Sequence, residues 1–379
     1  MRQSYYELGE PECLTLLGDA TSYILAANGV ASSDETETNE LPLIRSYLGA
    51  IEGRTLFVHG GLVGERSGLA DRPVSIQVEQ PLAGIPSYFT DKERACPASM
   101  LYQSVQARGV VRRRTDRAEK ARVLALITAK YQPEGGYVSI DHTHPLYARA
   151  LDSIDVWAIE LRGIVGRRKL LQKKTASQAE QVLEGLWRRG EGRDLEVIEL
   201  VRRVQLVEPT FLHAPSGARL HVWLPPERTD EAVAILMAND WNEHRSEAIV
   251  RRSIEAASAW IGATDAESGA LLGLARAVSD RTRYAMVFDV WVAERWRGRG
   301  LGRRIMELLL DHPALRDVER VELNTREAHP FYRKLGFHEI ERSVYEHVGY
   351  RAIEQTLEPT FVRWRMARLK LDADGSHPR

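Results

Sequence analysis

The segment DVWVAERWRGRGLGRRIMELLL, residues 289–310, constrains the fold of this 379-residue chain more than any other. The apolar run 284–292 before it predicts a buried strand, and the apolar spacing from Leu301 onward predicts a helix. Between the two, glycine alternates with other residues over 297–302. Glycine permits backbone conformations that other residues avoid, and the first amides of a helix lack internal partners. A strand–glycine–helix joint of this kind predicts an anion site.

The arginines of the joint indicate which anion it binds. Arg297 and Arg299 add planar guanidinium donors that suit phosphate, so we infer a pyrophosphate site. The nucleoside-triphosphate loop is excluded because no Lys-Ser or Lys-Thr pair follows the glycines. The dinucleotide fingerprint G-x-G-x-x-G is excluded because the spacing here is G-x-G-x-G. A glycine-rich turn with a solvated basic face is the simpler alternative.

Further motifs accompany the joint in a fixed order. Residues 297–302 fit R/Q-x-x-G-x-G/A, and VERVELNTREAHPFYRKLGF, residues 318–337, follows with a strand and a short helix. With the hairpin-like stretch 268–280 and the two-helix stretch 235–265, these motifs resemble the GNAT superfamily of N-acetyltransferases. The resemblance implies a C-terminal α/β domain with a mixed sheet, residues 218–350, that binds acetyl-CoA and transfers the acetyl group directly to an amine.

The same resemblance implies roles for individual residues. Main-chain groups near Val290 and Val292 would contact the pantetheine and thioester in a gap beside the strand. Tyr332 would be the general acid that protonates the leaving thiolate, with aromatic packing as its alternative role. The other residues implied for acetyl-CoA are Arg297, Gly298, Arg299, Gly300, Leu301, Gly302 and Asn324.

The sequence leaves the general base open. Asp289 lies inside an apolar strand, where an unpaired carboxylate is costly, so we expect it to have either a catalytic or a structural partner. Glu243, Glu327 and His329 are weaker candidates, because a solvated charge is the default on helix and loop surfaces. Asp289 is therefore the first candidate for the base.

Residues 1–205 differ in kind from the C-terminal half. Short apolar runs broken by glycine and charged turns predict an antiparallel barrel, with a strand at 153–166 and helices at 117–131 and 176–189. The domain boundary is predicted in the stretch 206–217, which contains proline and glycine and little periodicity.

Four stretches of this half resemble the split-barrel flavoproteins related to pyridoxamine 5′-phosphate oxidase: LFVHGGLVGER, IPSYFTDKERACPASMLYQSVQARG, KYQPEGGY and GRRKLLQKK. The resemblance implies an antiparallel split β-barrel with flanking helices, a homodimer formed through the barrel, and an FMN site. The residues that it implies for FMN are His59, Gly60, Arg66, Ser104, Val105, Lys169 and Gln172.

The sequence departs from that family's pattern at three places. Arg66 stands where relatives carry lysine, which keeps a cation but changes its geometry. Tyr102-Gln103-Ser104-Val105 replaces Tyr-Arg-Ser-Val and so lacks one cation, and KLLQKK replaces KLSQN. Two interpretations stay open: a barrel that binds FMN, and a flavin-free barrel that serves dimerisation or regulation.

Composition excludes several classes of partner. The formal net charge of −1 gives no basis for a nucleic-acid or anionic-membrane partner. No apolar run approaches the roughly 20 residues that a membrane helix needs. The first residues carry acids and no apolar signal core, and two cysteines fit a reducing compartment, so we expect a cytoplasmic protein.

Three smaller features complete the expectations. The sequence DHTHP, residues 141–145, lacks the three or four ligands of a zinc site, so no metal is expected. Cys96 lies among small residues and is expected to be buried. Residues 351–379 are expected to form a C-terminal extension, with an edge strand or short helix and a frayed end.

The motifs therefore predict an acetyl-CoA-dependent N-acetyltransferase, with a small amine or a protein amine as acceptor. One alternative is a flavin-dependent oxidoreductase whose C-terminal half is a CoA-binding sensor. Residues 241–244 lie where an acceptor could enter, although they equally resemble a helix end. No motif identifies the acceptor itself.

Overall fold

A computed structural model describes residues 7–28, 42–62, 68–345 and 361–370 of the chain. The chain divides into two compact units: the first combines Met1–Leu82 with Met100–Gln172, and the second combines Ala83–Ser99 with Lys173–Arg379. The first unit carries a curled antiparallel sheet with helices, and the second a mixed sheet with helices. Both predicted fold classes are confirmed.

The strands of the first unit form one sheet. They are β1 (Glu7–Leu8), β2 (Tyr23–Ala27), β3 (Leu43–Tyr47), β4 (Gly49–Glu52), β5 (Thr55–Gly61), β6 (Pro73–Ile85), β7 (Ser99–Arg114), β8 (Ile154–Glu160) and β9 (Arg162–Lys169). Their order is β3-β2-β6-β7-β8-β5-β4, and β9 pairs with both β7 and β1. The helices are α1 (Glu10–Asp19), α2 (Arg117–Tyr131) and α3 (Pro145–Ser153).

The long strand β7 organises this sheet. Its residues alternate between buried and accessible, which is the two-residue period of a strand with one face on a core. Its first half pairs with β9, and its last four residues pair with β8. The core against this face includes Leu17, Tyr23, Val105 and Trp157, all fully or almost fully buried.

The predicted strand 153–166 is two strands in the structure. β8 ends at Glu160 and β9 begins at Arg162, and the buried Leu161 between them donates its amide to the carbonyl oxygen of Arg54 (2.8 Å). The strand breaks because β8 and β9 pair with different halves of β7. The alternation of apolar residues along 153–166 does not indicate that the part of β7 paired with this segment changes.

The second unit contains the remaining elements. They are α4 (Ala176–Arg189), α5 (Asp194–Gln205), β10 (Ala218–His221), α6 (Thr229–Met237), α7 (Glu247–Glu255), β11 (Ala259–Asp265), β12 (Leu271–Ser279), β13 (Tyr284–Val292), α8 (Leu301–Leu310), β14 (Arg320–Thr325), α9 (His329–Arg333), β15 (His338–Tyr345) and β16 (Phe361–Leu369). The sheet order is β10-β11-β12-β13-β14-β16-β15. β13 and β14 are parallel, and the other neighbours are antiparallel.

The C-terminal extension was predicted to carry an edge strand or a short helix, and the edge position is wrong for residues 361–369. This segment is β16, which lies inside the sheet between β14 and β15. Met366 is registered with Leu323 on one side and with Glu339 on the other, and its side chain is fully buried. The alternating pattern predicted an edge strand or a short helix and could not reveal that a strand here has two neighbours. The predicted frayed end, 371–379, lies outside the described residues.

The division of the chain also differs from the predicted boundary at 206–217. α4 and α5 belong to the second unit, where Nε1 of Trp187 donates to Oδ2 of Asp311 (2.7 Å). Trp187 also stacks on Phe211, with ring centroids 5.2 Å apart. The proline-containing linker therefore separates two parts of one packed unit.

Candidate active site: a parted sheet beside an uncapped helix

The parallel strands β13 and β14 part before they end. Their register runs from Tyr284 opposite Arg320 to Val287 opposite Leu323, and it stops there, while β13 continues to Val292. On its other edge, β13 stays paired with β12 as far as Val292 opposite Gly273. The main chain of 288–292 therefore has one edge without a registered neighbour in the described part of the sheet. An unpaired edge of this kind can hydrogen-bond an extended ligand.

A β-bulge lies at the point where the strands part. Leu274 is registered with Trp291, but Arg276 is registered with Phe288, so Ala275 opposes two residues, Asp289 and Val290. Asp289 has a φ of 52°, in the left-handed region that residues with a side chain rarely adopt. Bulges redirect a strand and are frequent next to active sites.

The glycine-rich joint has the predicted geometry of a helix start. Gly298 and Gly300 have φ values of 75° and 84°, and a Cβ on either would meet open space. α8 begins at Leu301 with Gly300 as its N-cap, so no side chain caps the helix. The first helical bond across the joint runs from the amide of Arg304 to the carbonyl oxygen of Gly300 (3.1 Å). The preceding amides of the first turn are therefore open to an anion.

Packing brings this helix start against the parted strand. A Cβ on Gly302 would lie 3.3 Å from Cγ2 of Val292, so a larger residue would press the two elements apart. Nε of Arg297 donates to the carbonyl oxygen of Val292 (3.2 Å), and Arg299 lies over the ring of Trp296. Val292 therefore offers only part of its main chain to a ligand, a detail that the sequence did not reveal.

The side chain of Asn324 has a polar atom without a hydrogen-bond partner in the described part of the chain, close to the place where β13 and β14 separate. Its Oδ1 is buried and has no hydrogen-bond partner among the described residues. Asn324 follows Leu323, the last residue of β14 registered with β13. Buried acceptors usually have a partner, so an unpaired one beside a gap fits a ligand-binding position. The uncapped amides, the open glycine joint and this oxygen together suit the phosphates and amides of acetyl-CoA.

Tyr332 lies on α9, almost fully buried. Its ring packs edge-on against Phe331 and Phe337, with centroids 5.1 and 5.9 Å away. Burial raises the pKa of Tyr332 to about 12. The phenol therefore stays protonated at neutral pH, as a general acid requires. The aromatic contacts show that packing, the alternative role, is also present.

Asp289 has a partner that the sequence did not predict. Nε of Arg276 lies 2.5 Å from Oδ2 of Asp289, and both side chains are about nine-tenths buried. The guanidinium carbon of Arg276 also lies 4.9 Å from the ring centroid of Phe288. The structural alternative for Asp289 is thus observed: its carboxylate is one half of a buried ion pair.

The weaker base candidates lie in other settings. Glu243 is exposed and contacts His244, Glu327 is exposed, and His329 is half-buried in the first turn of α9. Residues 241–244 include the end of a short 3-10 helix, where the buried Asn242 donates to the carbonyl oxygen of Leu236 (3.1 Å). That residue is structural.

Glu322 on β14 is a buried glutamate that no sequence motif indicates. Glu322 is 1% exposed and pairs with Arg365 (2.7 Å) and Arg320 (2.6 Å). Burial opposes ionisation, but hydrogen bonds from Arg365 and Tyr284 and the nearby cations hold the pKa of Glu322 below its usual value. Arg320 lies on β14 itself, but Tyr284 and Arg365 come from β13 and β16, so the local sequence does not indicate these two partners.

Part of the predicted flavin set lies together in the first unit. Ser104 on β7 is registered with Arg167 on β9, and Tyr102 with Lys169. Registered residues share a face, so Ser104, Arg167 and Lys169 present one hydroxyl and two cations on the same side of the sheet, where Glu7 of β1, registered with Arg167, adds a carboxylate. These groups suit a phosphate. Arg167 was not among the predicted residues.

The other predicted flavin residues lie apart from this face. His59 is registered with Val156, and Val156 with Arg114, ten positions along β7 from Ser104. Gly60 follows on the same strand, opposite Asp155. One chain therefore does not bring His59 and Gly60 next to Ser104. Arg66 lies outside the described residues.

Two predicted flavin contacts are used within the fold. The side chain of Val105 is fully buried in the core, so only its main chain could reach a ligand. The side chain of Gln172 accepts from the amide of Leu170 (2.7 Å) and donates to the carbonyl oxygen of Arg168 (2.7 Å). Gln172 therefore closes a turn rather than offering a free amide.

The glutamine that replaces the family's arginine has its own partners. Oε1 of Gln103 accepts from Nε of Arg168 (2.6 Å), and Nε2 of Gln103 donates to Oε1 of Gln80 (3.0 Å). Arg168 also pairs with Glu12 (2.9 Å). The lost cation is thus replaced by a hydrogen-bonded link across the sheet.

Three further expectations concern metal ligands, cysteines and membrane-spanning helices. In the described segments, no group of three or more histidine, cysteine or carboxylate side chains could hold a metal ion. His144 instead caps α3 by accepting from the amide of Leu146 (3.2 Å). Cys96 is exposed, so its predicted burial is wrong, whereas Cys13 is buried. Of the helices in the described segments, none is long and apolar enough to cross a bilayer.

Comparison with family models matches each half separately. Residues 219–337 match the model described as Acetyltransferase (GNAT) family. Residues 10–168 match the model described as Pyridoxamine 5'-phosphate oxidase. The first match contains β13, the glycine-rich joint and α9, and the second contains the strands that carry His59, Ser104 and Arg168.

Individual relatives cover only parts of the chain. Histone acetyltransferase TAP1 from Glycine max is 36% identical over 77 residues, which are 20% of this chain and 33% of the relative. A structure from Xanthomonas campestris pv. campestris, described as a GNAT family member, is 29% identical over 33% of this chain and 93% of its own, with a TM-score of 0.29. Flavocytochrome Anf3 from Azotobacter vinelandii is 15% identical over 45% of this chain and 72% of its own, with a TM-score of 0.35.

Proposed function

We propose that this chain, which carries a GNAT acetyltransferase domain at residues 219–337 and a pyridoxamine 5′-phosphate oxidase-like domain at residues 10–168, is an acetyl-CoA-dependent N-acetyltransferase. One observation carries the proposal: β13 and β14 part next to the uncapped, glycine-bordered start of α8. The parted strand offers main-chain hydrogen bonds to an extended chain, and the helix start offers amides to a pyrophosphate. Acetyl-CoA contains both groups, joined end to end.

The binding roles follow from this arrangement. The open amides of the first turn of α8 and the guanidinium group of Arg299 would hold the pyrophosphate. The main chain around Val290 and the unpaired Oδ1 of Asn324 would hold the pantetheine amides and place the thioester. Arg297, which holds the carbonyl of Val292, would act mainly by fixing the joint to β13.

The reaction is one direct transfer. Acetyl-CoA supplies an activated carbonyl carbon, to which the nitrogen of a neutral amine forms a bond while the carbon–sulfur bond breaks. The sulfur leaves with the electron pair of that bond and takes a proton from the hydroxyl group of Tyr332. The amine loses its extra proton to water or to a nearby base. The role of Tyr332 is supported by its raised pKa, which keeps the donor protonated.

The acceptor would approach from the face of the sheet that carries Tyr284 and Phe288. These residues are 40% and 37% exposed, and the hydroxyl group of Tyr284 hydrogen-bonds to the buried carboxylate of Glu322, which also pairs with Arg320 and Arg365. Aromatic faces attract amines in their cationic form, so this face suits a small-molecule amine or an exposed protein amine.

Calorimetric titration of the purified chain with acetyl-CoA tests the binding step first. We expect one acetyl-CoA site for each chain, and transfer to at least one amine in a screen of small amines and lysine-containing peptides. CoA without the acetyl group should compete for the same site. Absence of acetyl-CoA binding by the folded protein would refute the proposed function.

A second activity is supported by a separate observation. Ser104, Arg167 and Lys169 share one face of the first sheet and suit the phosphate of FMN. We propose that a homodimer formed through this sheet brings His59 and Gly60 of one copy near that face of the other. When bound, FMN would supply electron-transfer chemistry to this unit. A colourless monomer in sedimentation and absorbance measurements would contradict both parts of this proposal.

A further inference from the structure

We propose that Arg276 and Asp289 form a positioning pair that holds the β13 bulge, and that Asp289 is not the general base. The inference rests on the proposed function, since the bulge borders the main chain that would contact the thioester. Arg276 has no role in the sequence motifs, and its contact with Asp289 comes only from the register of β12 and β13.

The backbone at Asp289 needs support. Its φ of 52° lies where a Cβ crowds the main chain, although aspartate tolerates this region better than most residues. Ala275 opposes Asp289 and Val290 together, so the strand contains one residue more than its partner. A strand of regular register would compete with this arrangement unless contacts favour the bulge.

Arg276 supplies those contacts at two consecutive positions. Its registered partner is Phe288, over whose ring the guanidinium carbon lies at 4.9 Å. The same side chain reaches one residue further, where Nε bonds to Oδ2 of Asp289 at 2.5 Å. A planar guanidinium group held by a ring and a carboxylate has little freedom. Arg276 therefore fixes both residues that precede Val290.

The bulge decides which way the end of β13 faces. With it, Trp291 is registered with Leu274 and packs with the buried cluster that contains Leu236 and Trp260. A shift of one residue would turn every following side chain to the opposite face. The main chain of 290–292 would turn with them. The pair therefore sets the presentation of the segment proposed to bind acetyl-CoA.

Two double variants that differ by one methyl group test the inference. Arg276→Met with Asp289→Gly removes the buried charges and leaves a residue that adopts positive φ freely. Arg276→Met with Asp289→Ala is identical except for a Cβ that disfavours positive φ. We expect the glycine variant to bind acetyl-CoA within about threefold of wild type, and the alanine variant to bind about tenfold more weakly, by calorimetry on folded protein.

A second position with positive φ provides the control. Arg281 has a φ of 66° in the turn between β12 and β13, away from the bulge. Arg281→Gly and Arg281→Ala should differ in unfolding midpoint while both bind acetyl-CoA as wild type does. An affinity change at both positions would indicate a general loss of stability and would overturn the inference.

The outcomes separate this inference from the proposed function. If wild type binds acetyl-CoA and the two double variants bind it equally well, the positioning role is wrong, and loss of transfer in both variants would identify Asp289 as a base. If the alanine variant alone binds weakly and the glycine variant keeps transfer, the positioning role is supported. If wild type itself does not bind acetyl-CoA, the proposed function is wrong. The inference then fails with it, because the main chain of 290–292 would not be a binding segment.

Discussion

Both carboxylate oxygens of Glu199 accept hydrogen bonds from Nη1 of Arg202, at 2.9 and 2.8 Å, and the side chain of Arg202 is fully buried. Glu199 also accepts from the amide of Val222 (2.9 Å) and contacts Nδ1 of His221 (3.1 Å). These contacts join α5 to β10, the first strand of the sheet in the second unit. They explain why helices that precede the predicted linker belong to the second unit.

The first prediction concerns the stability of this junction. Arg202→Met should lower the free energy of unfolding by about 3–5 kcal/mol, because it leaves a buried carboxylate without its main cation. Arg203→Met, one residue further along the same helix and exposed, is the matched control and should change little. Urea unfolding of the two variants measures the difference. Equal stabilities would show that the buried pair does not hold α5.

The second prediction concerns the pH dependence of the same contact. Burial opposes ionisation of Glu199, but the hydrogen bond from His221, the charges of Arg202 and His221 and the amide of Val222 hold its pKa below the usual 4.5. A lowered pKa contributes stability above the unfolded value and loses it as the pH falls through the folded value. The stability difference between wild type and Glu199→Gln should therefore shrink below about pH 4.5. A difference that grows in acid would reverse the assigned sign.

The third prediction tests the glycine-rich joint. Gly300→Asp places a carboxylate beside the open amides of α8, where it would repel a pyrophosphate. Gly300→Asn has nearly the same shape without the charge, and both residues tolerate positive φ to a similar degree. We expect the aspartate variant to bind acetyl-CoA at least about tenfold more weakly than the asparagine variant, by calorimetry. Equal affinities would place the phosphates elsewhere.

The fourth prediction tests the proton donor. Tyr332→Phe keeps the edge-on contacts with Phe331 and Phe337 but removes the hydroxyl group. The rate of transfer should fall by about 10²–10⁴-fold while acetyl-CoA affinity stays unchanged. Since the pKa of Tyr332 is about 12, wild type should show no loss of rate from this group between about pH 7 and pH 10. An unchanged rate in the variant would leave Tyr332 with a packing role only.

The fifth prediction tests the flavin face. Lys169→Glu reverses a charge beside Ser104 and should weaken FMN binding, measured by flavin fluorescence. Arg162→Glu makes the same charge change at the exposed beginning of β9, and FMN binding should be little affected. If the two variants lose FMN equally, only the net charge of the sheet matters. If wild type binds no FMN, the flavin site is absent.

Several elements were predictable because their signals are local. The strand 284–292 and the helix that begins at Leu301 follow from apolar spacing, and the open geometry of the joint follows from Gly298 and Gly300. Helix α2 has the predicted bounds, and its first turn is capped by Asp116. Each of these features depends on residues within a few positions of one another.

Other features were missed because they depend on neighbours distant in the chain. Arg276 and Asp289 are thirteen positions apart and meet only through the strand register. Glu322 is ionised in a buried position because Arg365, 43 positions further along the chain, joins the sheet beside it. Cys96 was predicted to be buried because small residues surround it in the sequence. It is exposed, since burial depends on which distant segments pack over a residue.

The sequence by itself determined the two fold classes and the open glycine geometry at the start of α8, because backbone freedom and apolar period are properties of short segments. Only the tertiary structure decided where β13 and β14 separate, which residue forms the bulge, and that β16 lies inside the sheet between β14 and β15. It also decided that α4 and α5 belong with the second unit. These outcomes depend on pairing and burial between segments far apart in the chain. The local spacing of apolar residues does not indicate which distant segments will meet.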